Sequence, residues 1–217
     1  MIGAAARELE APADILEIRE GHVVAREAPG RRIALGDLAR GLGARGARLR
    51  EGGTYDPETS PLDPATGVGR PYATYASATQ MAEVEVHVRT GVVRVRRVVA
   101  AHDVGKVLNP AGARGQVEGA VVMGIGYALM EEFVPGVTRG FAQYRIPTTH
   151  DVPEIETIFV ERTDPKGPFG AKGLGECALI PTAAAILNAV TDATGVRIRR
   201  LPATRERVRE ALATAAV

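Results

Sequence analysis

The densest chemical signal in the sequence is the run Gly167-Pro-Phe-Gly-Ala-Lys-Gly-Leu-Gly-Glu176. Glycines at 167, 170, 173 and 175 permit unusual torsions and let a ligand approach main-chain amides closely. A carboxylate at the end of such a loop, just before a helix, is held rigidly; the plain alternative is a surface glutamate after a turn. The loop is not a phosphate-binding P-loop, because Ala171 precedes Lys172 and no Ser or Thr follows it. Gly173 to Ala178 fits the dinucleotide fingerprint formally, but no strand leads into it and no acidic residue closes a βαβ unit.

Two further constellations stand upstream. Gly112, Gln116, Gly119, Met123 and Gly126 recur at helical spacing and share one face, to which Gly115 adds. Each helical glycine costs about 1 kcal/mol relative to alanine, so something must pack hard against this helix. Either a second helix does so, or a flat ligand lies there with the Gln116 amide donating and accepting hydrogen bonds. His102-Asp103-Val-Gly105 ends a strand, and its plain reading is a turn in which Asp103 satisfies backbone amides.

The elements that must carry these residues follow from periodicity and punctuation. Ile15, Leu16, Ile18 and Val23, Val24 flank Glu20-Gly21, a hairpin pattern. Ile33 to Leu35 reads as a short strand, and Asp37 as the cap of a helix over Leu38 to Leu42 that Gly43 ends. Glu51 to Pro71 reads as a long ordered loop. Val84, Val86 and Val88 alternate with polar residues, Thr90-Gly91 turns the chain, and Val93, Val95, Val98 and Val99 return it. His87 and the arginines 94, 96 and 97 fall on the solvated face of that hairpin. Asn109-Pro110 is a helix start, with the helix expected to reach Glu132. Strands are expected over Val152 to Arg162 and Val196 to Leu201. Helices are expected over Pro181 to Ala193 and after Thr204, the latter burying Val208 and Leu212. Without a βαβ rhythm, the class is α+β. The division expected is a partial N-terminal segment, residues 1–70, and a C-terminal lobe, residues 71–217.

Composition narrows the function classes. With 217 residues and 45% hydrophobic content the chain can bury a real core. A net charge of +1 gives no reason to expect nucleic acid or an acidic membrane surface as partner. The apolar run from Gly119 to Met130 is too short to span a bilayer. Cys177 is the single cysteine, which excludes an internal disulfide, excludes an iron–sulfur cluster held by this chain alone, and fits a reducing, cytoplasmic setting.

In order along the chain stand His102-Asp-Val-Gly105, Asn109-Pro110, Gly115-Gln-Val-Glu-Gly-Ala120 and Gly124-Ile-Gly-Tyr-Ala-Leu-Met-Glu-Glu-Phe133. Tyr144-Arg-Ile-Pro147, the Gly167 to Glu176 loop and Pro181-Thr-Ala-Ala-Ala-Ile186 follow. From about Tyr75 to Leu212 this resembles the last quarter of the molybdenum subunit of the xanthine dehydrogenase/aldehyde oxidase family. The resemblance implies a mixed α/β lobe, the second molybdopterin-binding domain of that large subunit. It implies that Glu176 is the catalytic base, and that Gln116 contacts the pterin. Gly115, Lys172, Gly173, Leu174 and Gly175 lie against the cofactor, and no residue of this chain ligates the metal. Lys172 and the following helix N-terminus would favour an ionised Glu176. The cofactor implied is molybdopterin, as its cytosine dinucleotide form. The partners implied are a chain carrying the first cofactor-binding half, an iron–sulfur subunit with [2Fe–2S] and a flavin subunit with FAD. The family's subunit is several times longer, so a split gene or a fragment is expected. The substrate expected is an electron-poor carbon of a purine-like N-heterocycle, with an aldehyde as the alternative.

Overall fold

The computed structural model describes residues 1–46 and 52–215. They form two compact units, Met1–Tyr55 and Asp56–Val217. The boundary falls inside the long loop expected to close the first segment at residue 70.

The first unit is a three-stranded antiparallel sheet with two helices. Helix α1 spans Ile2–Glu8, an alanine-rich stretch of high intrinsic helicity for which no element is expected from periodicity. The predicted hairpin forms from β1 (Leu16–Arg19) and β2 (His22–Ala25), with Leu16 opposite Ala25 and Arg19 opposite His22. Its link, Glu20-Gly21, has φ of 47° and 74°, the paired left-handed geometry of a two-residue turn that matches strand twist. Strand β3 (Ala28–Ala34) is longer than the predicted Ile33–Leu35. Helix α2 (Leu35–Ala44) starts earlier than predicted, because Leu35, Leu38 and Leu42 continue one apolar stripe. Asp37 therefore lies in its first turn, paired with Arg40, and Gly43 lies within it. Ala5, Leu16, Val23, Ala25 and Leu38 form the core.

Residues 52–76 carry no helix or ladder strand, as expected of the long loop, whose residue 51 lies outside the described residues. Backbone self-contact orders it. Ser60 N donates to Arg70 O at 2.9 Å, and the Asp63 carboxylate accepts from the amides of Ala65 and Thr66 at 2.7 and 3.0 Å.

In the second unit, the predicted hairpin is formed by β4 (Ser77–His87) and β5 (Val92–Asp103), paired antiparallel. Strand β6 (Glu154–Val160) lies parallel on the other side of β5, giving the order β4-β5-β6. The β5 to β6 connection carries helix α3 (Pro110–Leu129), so one βαβ crossover is present where the sequence shows no βαβ rhythm. The helix ends three residues before the predicted Glu132, and β6 is shorter than the predicted Val152–Arg162. Asn109 caps α3 as its sequence requires, its Oδ1 accepting from Gly112 N at 3.0 Å. Helix α4 (Thr182–Thr194) ends at Gly195, φ 73°, and α5 (Arg205–Ala215) follows. Thr204 Oγ1 accepts from Arg207 N at 3.4 Å, and Val208 is buried while Leu212 is half-buried. The expected strand Val196–Leu201 is not formed; β4 and β6 are the sheet's edges, and this segment runs to Ala203, whose N–H donates to Ala128 O at 2.6 Å.

One irregularity sets which residues face the core. A bulge at Glu83/Val84 pairs Glu83 with Arg97 and Val84 with Val95, leaving Arg96 without an opposite residue. Side-chain parity therefore switches. Val95 is buried before the bulge, and Val98, Ala100 and His102 are buried after it. Val95, Val98 and Ala100 pack against Val117, Val121, Ile125 and Ile186 of α3 and α4.

The glycines of α3 divide by environment. A Cβ on Gly124 would collide with Thr182 Cβ at the start of α4, so this glycine sets helix–helix approach. A Cβ on Gly115 or Gly119 would meet nothing within 4 Å. Gly119→Ala should therefore raise the stability of this chain by up to about 1 kcal/mol in denaturant unfolding. Gly124→Ala should lower it by about 1–3 kcal/mol, because Thr182 Cβ cannot move without its helix.

Candidate active site

The Gly167 to Glu176 loop lies over the end of β5. Gly105 and Ala171 form an isolated bridge, with Lys172 N donating to Val104 O at 2.8 Å. Gly170 O accepts from both Lys106 N at 2.8 Å and Asp164 N at 3.0 Å. Close approach requires glycine on both sides. Gly105 and Gly170 have φ of 64° and 81°, and a Cβ on Gly105 would strike Gly170 O. Between them, Phe169 also takes a left-handed conformation, φ 55°, with its side chain 86% exposed.

Lys172 fixes the loop's middle. Its Nζ donates to Asp103 Oδ2 at 2.9 Å, and the two side chains are only 12% and 15% exposed. Asp103 Oδ1 accepts from Gly105 N at 3.1 Å, so the predicted turn role of Asp103 forms as well. The Lys172 hydrogen bond first, and the Gly105 amide second, hold the Asp103 carboxyl below its ordinary value. The cation expected to act on Glu176 is thus engaged by Asp103.

Gln116 fixes the loop's end. From the second turn of α3 its Nε2 donates to Gly175 O at 2.7 Å, one residue before Glu176. Leu174 packs against the core, while Gly173 and Gly175 are exposed. Glu176 is exposed; among the described residues no donor bonds to its carboxylate, and its carbonyl accepts from Leu179 N at 3.1 Å. The turn Cys177–Pro181 separates it from α4, so the helix N-terminus expected directly after Glu176 begins six residues on, at Thr182. Burial raises the Cys177 thiol, whose Sγ reaches Gly173 O at 3.7 Å. A pocket of about 380 Å³ opens between Leu108, Asn109, Gly112 and Gln116 on one side and Lys172 and Leu174 on the other. The structure thus brings Gln116, Lys172, Leu174 and Gly175 together. Gly115 lies next to Gln116 on α3, exposed.

Residues not singled out from the sequence lie beneath. Gln80 Nε2 donates to Ala178 O at 2.8 Å, and its Oε1 accepts from Thr182 Oγ1 at 2.7 Å. The signal was available: Gln80 stands at a position where Ala82, Val84 and Val86 continue an inward alternation.

A site of this build, a glycine-rich loop ending in a carboxylate and latched by a helix glutamine, can be compared with known proteins. The molybdopterin cofactor-binding domain family matches residues 1–153, a span that includes Gln116 and stops before Glu176. The aldehyde oxidoreductase molybdenum-binding subunit PaoC of Escherichia coli K12 is 42% identical over 180 residues, 78% of this chain and 24% of that protein. The xanthine dehydrogenase molybdenum-binding subunit of Escherichia coli O157:H7 is 38% identical over 220 residues, 97% of this chain and 28% of that protein. The solved aldehyde oxidoreductase of Desulfovibrio desulfuricans superposes with a TM-score of 0.72 at 36% identity, over 80% of this chain and 19% of that one. The chain belongs to the molybdopterin cofactor-binding domain family, within the molybdenum-binding subunits of the aldehyde oxidoreductase and xanthine dehydrogenase group. It spans about a quarter of the length of the curated relatives it matches.

The Lys172–Asp103 pair makes a pH prediction. Asp103 has a folded value below its unfolded one, so the pair's contribution is complete at neutral pH. It is lost as pH falls through the unfolded value, about 3.9, and then through the lower folded value. The difference in melting temperature between this chain and its Asp103→Asn variant should be largest above pH 5 and shrink towards pH 3.

Proposed function

We propose that this chain forms part of a molybdenum hydroxylase, with Glu176 as general base and Gln116 holding the pterin. The observation that carries the reading is the Gln116 to Gly175 hydrogen bond, which joins the two candidate residues within one loop–helix unit. The side chains suit a flat, polar-edged group. Gly115 and Gly119 leave α3 open to close approach, and one Gln116 N–H is used internally, which leaves the other N–H and Oε1 for a ligand edge. Exposed Gly173 and Gly175 leave loop backbone accessible. When bound, the molybdenum cofactor supplies the two-electron redox chemistry.

The chain's own residues do the rest. Glu176 takes up the proton released as a water-derived oxygen bonds to an electron-poor carbon. The carbon belongs to a purine-like N-heterocycle. A second reading, an aldehyde, is favoured by the 42% identical relative named as an aldehyde oxidoreductase subunit. Support for partner chains comes from the relatives' names as molybdenum-binding subunits and from the single cysteine, which cannot hold a cluster. The partners proposed are the remaining molybdenum-subunit segment, a [2Fe–2S] subunit and an FAD subunit, with cytosine-dinucleotide molybdopterin, in the cytoplasm.

Single-turnover reduction of the metal by excess substrate, in the complete enzyme containing this region, tests the base. Glu176→Gln should slow it by about 100- to 10,000-fold with molybdenum content unchanged. Glu176→Asp should keep a little activity. A wild-type rate in Glu176→Gln refutes the assignment.

Gln116 has a separate readout. Gln116→Ala should release cofactor from the folded enzyme, measured as molybdenum per protein after dialysis. Unchanged metal in a destabilised protein would leave Gln116 only the loop latch.

A further inference from the structure

Two polar side chains occupy the core face of the sheet at its end nearest the active-site loop. Gln80 on β4 lies opposite Ala100, and His102 on β5 lies opposite Ala78, so they are diagonal neighbours on one face. His102 is 1% exposed. A buried imidazole and amide at such positions are costly unless each polar atom is partnered.

One arrangement of the Gln80 amide meets that need for the amide itself and for His102 Nε2. Its Nε2 donates to Ala178 O at 2.8 Å and lies 3.3 Å from His102 Nε2. Its Oε1 accepts from Thr182 Oγ1 at 2.7 Å. With Nε2 of the amide facing it, His102 Nε2 must be the acceptor, so the ring is neutral and carries its proton on Nδ1. Burial lowers the His102 value, in agreement. The chain His102–Gln80–Ala178/Thr182 therefore has a fixed donor order. It ties both strands of the hairpin to the turn that begins at Glu176 and to the first residue of α4.

We propose that Gln80 and His102 are positioning residues that orient Glu176, by pinning Ala178 two residues beyond it; this rests on the reading of Glu176 as the base. Gly175 is held from the other side by Gln116, so Glu176 sits between two hydrogen-bonded carbonyls, Gly175 O and Ala178 O. Gln116 and Gln80 grip the backbone on either side of a side chain that has no hydrogen-bond partner among the described residues.

The test uses the complete molybdenum enzyme with Gln80→Leu, His102→Leu, the double variant and His102→Gln. The double variant guards against misfolding, because it removes the imidazole and the amide together while the buried Thr182 hydroxyl keeps Ala178 O, at 3.3 Å, as its acceptor. His102→Gln offers an amide oxygen to Gln80 and serves as the conservative rescue. Two quantities are read: deuterium uptake at the Leu179 amide, which donates to Glu176 O, and the rate and substrate dependence of metal reduction. Gln80→Leu and the double variant should exchange Leu179 at least about ten-fold faster. They should slow limiting metal reduction about 10- to 100-fold at unchanged substrate half-saturation, as expected of a displaced catalytic group. His102→Leu should show both effects and His102→Gln neither, and Gln80→Leu should add nothing in a Glu176→Gln background. Unchanged Leu179 exchange in Gln80→Leu and the double variant overturns the proposal, even where Glu176→Gln is inactive. Faster exchange with an unchanged rate overturns the orienting role while the base reading stands. A wild-type rate in Glu176→Gln overturns the base reading, and the orienting role with it.

Discussion

The place of the active-site loop depends on a part-buried ion pair. Of the ten residues from Gly167 to Glu176, Leu174 packs into the core while Phe169 is thrust into solvent, so apolar burial alone does not fix this segment. Lys172 and Asp103 supply what the hydrophobic effect does not. The pair is sheltered enough for its attraction to outweigh that of a surface pair, and Asp103 has a second bond from Gly105 N to satisfy the other oxygen. Around it the backbone closes on itself through Val104, Lys106 and Gly170, which is possible only because Gly105 and Gly170 carry no Cβ.

Much of this was legible in the sequence where a local rule decides the outcome. Glu20-Gly21 and Thr90-Gly91 turn their hairpins, Asn109 caps its helix, Gly195 ends another, and the Gly-rich loop stands where its glycines say backbone comes close. Failures arose where a local pattern admits two outcomes and tertiary contact chooses. Val196–Leu201 alternates like a strand but has no ladder partner. Ile2–Glu8 lacks a clear apolar period yet is helical. The parallel β5–α3–β6 crossover is invisible to a search for rhythm, since it occurs once. The parity change within β5 was written in the sequence as Val95 followed by Val98, and reading it as a bulge would have placed His102 in the core.

The glycine stripe of α3 shows the limit of reading a helix as one face. Close helix packing and an open surface are not alternatives here; the helix has both. Gly124 allows α4 to approach, and Gly119 and Gly115, about one and a half and two and a half turns earlier, face open space. Gln116 lies between those last two and turns its amide to the loop. One N–H of the Gln116 amide latches the loop, and its other N–H and its oxygen remain available beside it.

For a residue proposed to accept a proton, its surroundings matter as much as its placement. A carboxylate bound to a lysine is a weak base, because the ion pair stabilises its ionised form. Lys172 lies only four residues before Glu176. Asp103 takes its ammonium, at 2.9 Å and largely shielded from water. The pair that anchors the loop therefore also engages the lysine nearest Glu176 in the sequence. Glu176 is left held through its flanking backbone, by Gln116 at Gly175 and Gln80 at Ala178, while its carboxylate has no hydrogen bond among the described residues. Holding the main chain and not the side chain is how a base can be both fixed in place and chemically unoccupied.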